Sequence, residues 1–289
     1  CMKPTKKTLL YTAYIIGITV IFLYYLFPSE AVRDYVVYKI ARVNPGISVT
    51  IDRVSPVLPP GIKLHAVGIA RDNRALVDLD SVKITPGLLS FFSSTKTARF
   101  NGRFNGGTVN GWAEVDNRKK AHTEKIEGTI SGVQVQGIPA VKLLGAYKIS
   151  GILAGDFIIG VSESRRSMTG KLTLADCRIG FDQPIIGQSS LRFKSINADL
   201  VLKNGTLAIK KFSARGNQLN ADISGTIALN RGRRGNALSL KGSVTPHHGF
   251  LAKIENSIPA NLFQQQKAGK TTIPFIVGGT LEAPNVRID

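Results

Sequence analysis

The chain has 289 residues, with 38 Lys and Arg against 19 Asp and Glu, giving a formal charge of +19. That length suits one large β domain or two ordinary ones, and a balance this basic points to nucleic acid or to an anionic membrane surface. Cys1 and Cys177 are its two cysteines, and the segment between them that is read below as a membrane span excludes an intrachain disulfide.

Leu9 to Phe27, "LLYTAYIIGITVIFLYYLF", carries no charge. At about 1.5 Å per helical residue this run is about 28 Å long, close to the hydrocarbon thickness of a bilayer. Lys3, Lys6 and Lys7 precede it and place the N-terminus in the cytoplasm, while Tyr24 and Tyr25 suit the far interface. A cleavable signal peptide is the alternative, since Ser29-Glu30-Ala31 is a small-x-small match. The apolar run exceeds a signal core, so a retained single-pass anchor is expected. The rest of the chain then lies outside the cytoplasm. It holds all 19 acidic residues and 35 of the 38 basic ones, a net +16. Outside the cytoplasm that charge excludes nucleic acid and favours anionic lipid headgroups or acidic protein partners.

After Pro28, "SEAVRDYVVYKIARV" places Val32, Tyr35, Val36, Lys39, Ile40 and Val43 at helical spacings of three and four. Ser29 caps this amphipathic helix, and Asn44-Pro45-Gly46 stops it. It either lies on the membrane or caps the open end of a sheet. From Ile47 the period becomes two. "ISVTIDRV", "ALVDLDSVKI", "TLAIKKFSA", "LNADISGTIAL" and "NALSLKGSV" all alternate apolar with polar residues, the signature of a sheet with one apolar and one wet face. Asn204-Gly205 and Gly106-Gly107 are hairpin signals. Helical patches are few: Leu88 to Phe92, Ala140 to Leu144, and a stretch around Leu262. Asp116 to Lys125 reads as a charged, exposed loop. Roughly a dozen strands, stacked at about 4.8 Å, make a trough on the order of 55 Å long, too short to join two membranes.

Glycine weakens a strand interior, yet it recurs on the apolar face of several strands. The alternation puts Ile223 and Gly225 on one face, as it does Leu240 with Gly242, and Phe275 with Gly279; Gly128 sits likewise between Ile126 and Ile130. Glycines repeated on one face let a sheet curl toward that face. These seven, Gly128, Ile223, Gly225, Leu240, Gly242, Phe275 and Gly279, are the candidate groove-lining residues.

The Lys-rich start, the single anchor, the phrase "FPSEAVRDYVVYKIARVNPGISVTIDRVSPVLPPGIKLHAVGIA" and the closing "IPFIVGGTLEAPNVRID" resemble the N component of type II secretion systems, GspN, and more broadly AsmA-like proteins. The resemblance covers nearly the whole chain and rests on layout and short phrases. It implies a mainly β fold: one N-terminal transmembrane helix, then an elongated, curved, largely antiparallel sheet forming a taco-like groove, with a few short helices. It also implies an accessory role beside other secretion subunits or, alternatively, contact with phospholipid along the groove. The expected organisation is 1–28 cytoplasmic tip and anchor, 29–46 amphipathic helix, and 47–289 periplasmic β domain.

Little here points to catalysis. His247 and His248 are adjacent, so in a strand they point to opposite faces and make a poor metal pair. Asp78 and Asp80 alternate with apolar residues and read as the wet side of a sheet. Phosphate-loop and G-x-S-x-G patterns do not occur. No enzyme activity, metal or cofactor is expected. Arg165, Arg166, Arg231, Arg233 and Arg234 form a candidate basic rim for anionic headgroups or an acidic partner.

Overall fold

A computed structural model describes residues 6–43, 46–58, 60–116, 123–143, 145, 147–162, 165–185, 188–229, 237–247, 250, 272–280 and 283–288. The fold is mainly β. Strands pair with their chain neighbours in an open sheet of fourteen, ordered β1 to β14. Two compact units divide the chain, Cys1–Thr85 and Pro86–Asp289.

The first unit holds α1 (Lys6–Tyr25), α2 (Ser29–Val43), β1 (Ile47–Val57), β2 (Gly61–Arg71) and most of β3 (Arg74–Pro86). At about 1.5 Å per residue the 20 residues of α1 span about 30 Å. Leu9, Leu10, Tyr14, Ile15, Ile21 and Phe22 are all more than half exposed around its circumference. Among the described residues, which omit the side chains of Ile16 and Leu23, no helix is long and apolar enough to cross a membrane.

The helix expected over Ser29 to Val43 forms over those residues. Its inner face departs from the expected stripe: Tyr35 and Lys39 are exposed, and Val37 packs inward. Val32, Val36 and Val37 pack on the buried Ile51, Val54, Leu64 and Val67 of β1 and β2. Tyr35 points outward, and the Lys39 ammonium sits 5.6 Å from the centre of its ring. Of the two roles considered for this helix, α2 thus takes the packing role against the first strands. Covering a strand in this way also protects a sheet edge.

The strand alternation slips between Ile51 and Val54. Ile51 and Val54 both face the core although they are three residues apart, and so do their partners Val67 and Leu64. The slip falls where Ala66 takes φ 48°. Beyond it, Arg53, Ser55, Lys63 and His65 are turned away from the core.

The second unit holds β4 (Thr95–Phe104), β5 (Gly107–Asp116), β6 (Thr123–Gln134), β7 (Tyr147–Ser162), β8 (Arg165–Ile185), β9 (Gln188–Lys203), β10 (Thr206–Gly216), β11 (Leu219–Ala228), β12 (Ala237–Pro246), β13 (Ile273–Gly279) and β14 (Pro284–Ile288). Helical pieces among its described residues include 3₁₀ turns at Leu88–Phe92 and Val135–Gly137, and α3 at Pro139–Lys142. The expected patch near Leu262 lies outside the described residues, as do residues 117–122 of the charged loop.

Asn204 and Gly205 turn β9 into β10 with φ 51° and 76°, the double positive φ that this hairpin needs. The earlier hairpin turns one residue sooner than Gly106-Gly107. Asn105 and Gly106 take φ 47° and 77°, and Gly107 already belongs to β5. Asn and Gly tolerate that region, while Gly107 is needed for a close approach, since an added Cβ would lie 2.5 Å from the Val133 backbone nitrogen.

Cys177, on β8, is 1% exposed and packs with Phe193, Ile196 and Ala214. Burial pushes its thiol up to about 11. The thiolate is the reactive form, so this cysteine is expected to resist alkylation at pH 8 in the native protein and to react on unfolding in urea. Mass spectrometry of samples treated with iodoacetamide checks this; rapid native labelling would contradict the buried placement.

Candidate functional site

In an antiparallel ladder, directly opposite residues share a face. One row crosses eleven strands: Phe100, Gly111, Gly128, Phe157, Gly170, Leu200, Ile209, Gly225, Leu240, Val277 and Val286. A parallel row two residues away joins Phe212, Ile223, Gly242, Phe275 and Ile288 on β10 to β14. The register thus brings Gly128, Ile223, Gly225, Leu240, Gly242 and Phe275 together on one apolar face. Gly279, opposite Pro284, ends β13 on that side.

The glycines of this face do two different jobs. Gly111, Gly128 and Gly242 each lie under a phenylalanine ring from the adjoining strand. A Cβ would meet Phe100 at 2.5 Å, Phe157 at 2.6 Å and Phe275 at 2.7 Å, respectively, and at Gly111 and Gly242 it would also meet a backbone carbonyl oxygen, of Glu127 at 2.1 Å and of Asp222 at 2.6 Å. Each ring belongs to the residue directly opposite its glycine. Ring and glycine together fill one site, the arrangement in which an aromatic covers the bare backbone of a neighbouring strand.

Gly225 serves the backbone instead. It has φ 141°, and an added Cβ would sit 2.2 Å from the Ser239 carbonyl oxygen. Beside it the ladder slips: Ile209 pairs with Gly225 and Phe212 with Ile223, so Lys210 and Lys211 face the single residue Ser224. That is a β-bulge, which bends and twists its strand. A similar slip flanks Gly155, between Ile130 and Val133.

The opposite face is polar and ordered by charge. Asn101, Asn110, Thr129, Asp156, Lys171, Asp199 and Lys211 lie opposite one another in sequence across β4 to β10. Thr129 Oγ1 donates to Asp156 at 2.7 Å. Arg215 grips Asp222 through both terminal nitrogens at 2.9 and 2.8 Å. That guanidinium, by hydrogen bonding and by charge, holds the Asp222 carboxyl below the usual carboxylate range.

Of the candidate basic rim, Arg165 and Arg166 open β8. Arg231, Arg233 and Arg234 lie outside the described residues, so the five are not brought together here. Asp78 and Asp80 are both exposed on β3. His247 Nδ1 lies 3.0 Å from the Asn217 carbonyl oxygen, and His248 lies outside the described residues. Among the described residues no three or more His, Cys, Asp and Glu side chains gather as metal ligands would.

The partners Phe100, Gly111 and Phe157 escaped sequence reasoning. Alternation assigns a face within one strand, whereas a Gly–Phe pair exists only once two strands are in register. No family model, curated protein or solved structure matches the chain.

Proposed function

We propose that the chain is a non-enzymatic accessory subunit of the type II secretion apparatus, anchored by α1 in the bacterial inner membrane with its sheet in the periplasm. The observation that carries this reading is an apolar face filled from within. The rings of Phe100, Phe157 and Phe275 take the space above Gly111, Gly128 and Gly242, so the sheet is a packed platform. The bulges beside Gly155 and Gly225 bend and twist their strands. Its last strand, β14, is exposed throughout and offers an edge to which a strand of another secretion subunit can pair. For α1, the exposed surface is the stronger of two opposed observations. A helix with apolar side chains on every side needs either a protein core or a bilayer around it.

Deleting the gene in its native bacterium is expected to trap substrates of the secretion apparatus in the periplasm. A periplasm-dependent reporter fused after Asp289 is expected to be active. Normal secretion in the deletion strain would defeat the secretion assignment, and cytoplasmic reporter activity would defeat the topology.

A second reading, an acyl-chain-binding face, is favoured by one observation. The apolar rows run on to the β14 edge, where Val286 and Ile288 are 61% and 52% exposed. Lipid co-purifying with the protein, and lost when both residues become Asp, would shift the assignment to this reading.

A further inference from the structure

A cavity of about 740 Å³ opens between the C-terminal end of α1 and the β1–β2 hairpin. One wall is apolar, made by Val20, Ile21 and Tyr24 of the helix. The other is the polar block that the slip at Ala66 turns outward. There Arg53 lies directly opposite His65, and Ser55 opposite Lys63. Ser55 Oγ and His65 Nε2 are 3.0 Å apart. On the next strand Lys83 lies directly opposite Lys63. Like charges placed opposite one another destabilise a sheet unless an anion compensates them. Among the described residues, Arg53, Lys63 and Lys83 enter none of the ion pairs. Burial, then the charges of Lys63 and Arg53, hold His65 below its ordinary range.

We propose that this cavity binds an anionic membrane lipid, its phosphate held by Arg53, Lys63 and His65 and its acyl chains laid along Val20, Ile21 and Tyr24. The proposal rests on the reading that α1 sits in a bilayer, which puts the end of the helix at headgroup level. A free phosphate would use the polar wall alone. The apolar wall, continuous with the surface of α1, is what selects a lipid.

The test uses the full chain reconstituted in phosphatidylcholine vesicles doped with phosphatidylglycerol. Flotation reads insertion, and mass spectrometry of lipid retained after mild detergent extraction reads selection. The ring signals of ¹³C-labelled histidine, assigned with His65→Gln, read occupancy. Wild type and the Arg53→Gln/Lys63→Gln double variant are both expected to float and to melt alike. Wild type alone is expected to enrich phosphatidylglycerol, with the variant about thirtyfold weaker, the loss expected for two basic side chains at an anionic surface. Arg53→Lys keeps the enrichment, and Lys194→Gln on β9 leaves it unchanged. Equal enrichment by the double variant overturns the site and leaves the anchorage of α1 intact. If neither protein floats, the anchor fails and the site falls with it. A His65 response to inorganic phosphate, without vesicles, as large as that to phosphatidylglycerol makes this a free-anion site and overturns the lipid assignment.

Discussion

Leucine at Gly225 is expected to lower stability by about 3 kcal/mol or more, the sum of backbone strain and overpacking. The two parts have separate sources. At φ 141° the backbone lies where side chains are rarely tolerated, and the first added carbon would already sit 2.2 Å from the Ser239 carbonyl oxygen. Gly225→Ala is therefore expected to cost most of what Gly225→Leu costs. Gly242→Leu meets the Asp222 carbonyl oxygen and the Phe275 ring instead, and about 1–3 kcal/mol is expected from crowding alone. The comparison set is Lys241→Leu and Thr226→Leu, which add bulk at exposed positions beside the glycines; exposed substitutions usually stay within about 0.5 kcal/mol. Urea denaturation of both sets decides. Equal damage from the neighbouring positions would mean that the faces are assigned wrongly, and the packed platform would lose its basis.

Much of this fold is legible in the sequence because its strands pair with their chain neighbours. Alternation along "LNADISGTIAL" gives the face of Ile223 and Gly225, and sequential pairing carries that face onward to Leu240 and Phe275. Local signals serve equally well where local physics decides, as at the Asn204-Gly205 turn and the α2 helix. Reading fails where the cause is non-local. Why Gly128 is glycine depends on the ring of Phe157, which register alone brings opposite. Why Gly225 is glycine depends on its φ of 141° and on the Ser239 carbonyl oxygen of the adjoining strand, which alternation cannot foresee. The cavity beside α1 was hidden for the same reason. "IDRVSP" and "IKLHAV" read as ordinary alternating strands, and only the slip between Ile51 and Val54 turns Arg53 and His65 away from the core. The positive φ at Ala66 marks that slip, and nothing in an alanine announces it.

The pairing of Gly128 with Phe157 carries the other large effect, and a double-mutant cycle isolates it. Phe157→Ala removes a half-buried ring and uncovers the glycine beneath it. Truncation of a buried phenylalanine costs about 3–5 kcal/mol, and partial exposure here puts the expected loss below that, at about 2 kcal/mol. Gly128→Ala is expected to destabilise the wild type, because its Cβ would meet the ring at 2.6 and 2.8 Å. With the ring gone, the nearest remaining neighbour of that carbon is the Asn110 carbonyl oxygen at 3.0 Å, which a small shift relieves. In the Phe157→Ala background, then, Gly128→Ala is expected to be nearly neutral or stabilising, since it also reduces the freedom of the unfolded chain. The coupling between the two sites is expected at about 1–2 kcal/mol, well above the few tenths found between independent sites. Additive losses would show that the ring and the glycine do not share one space. Gly128 would then need another cause, such as the close approach of Gly111 across the neighbouring strand.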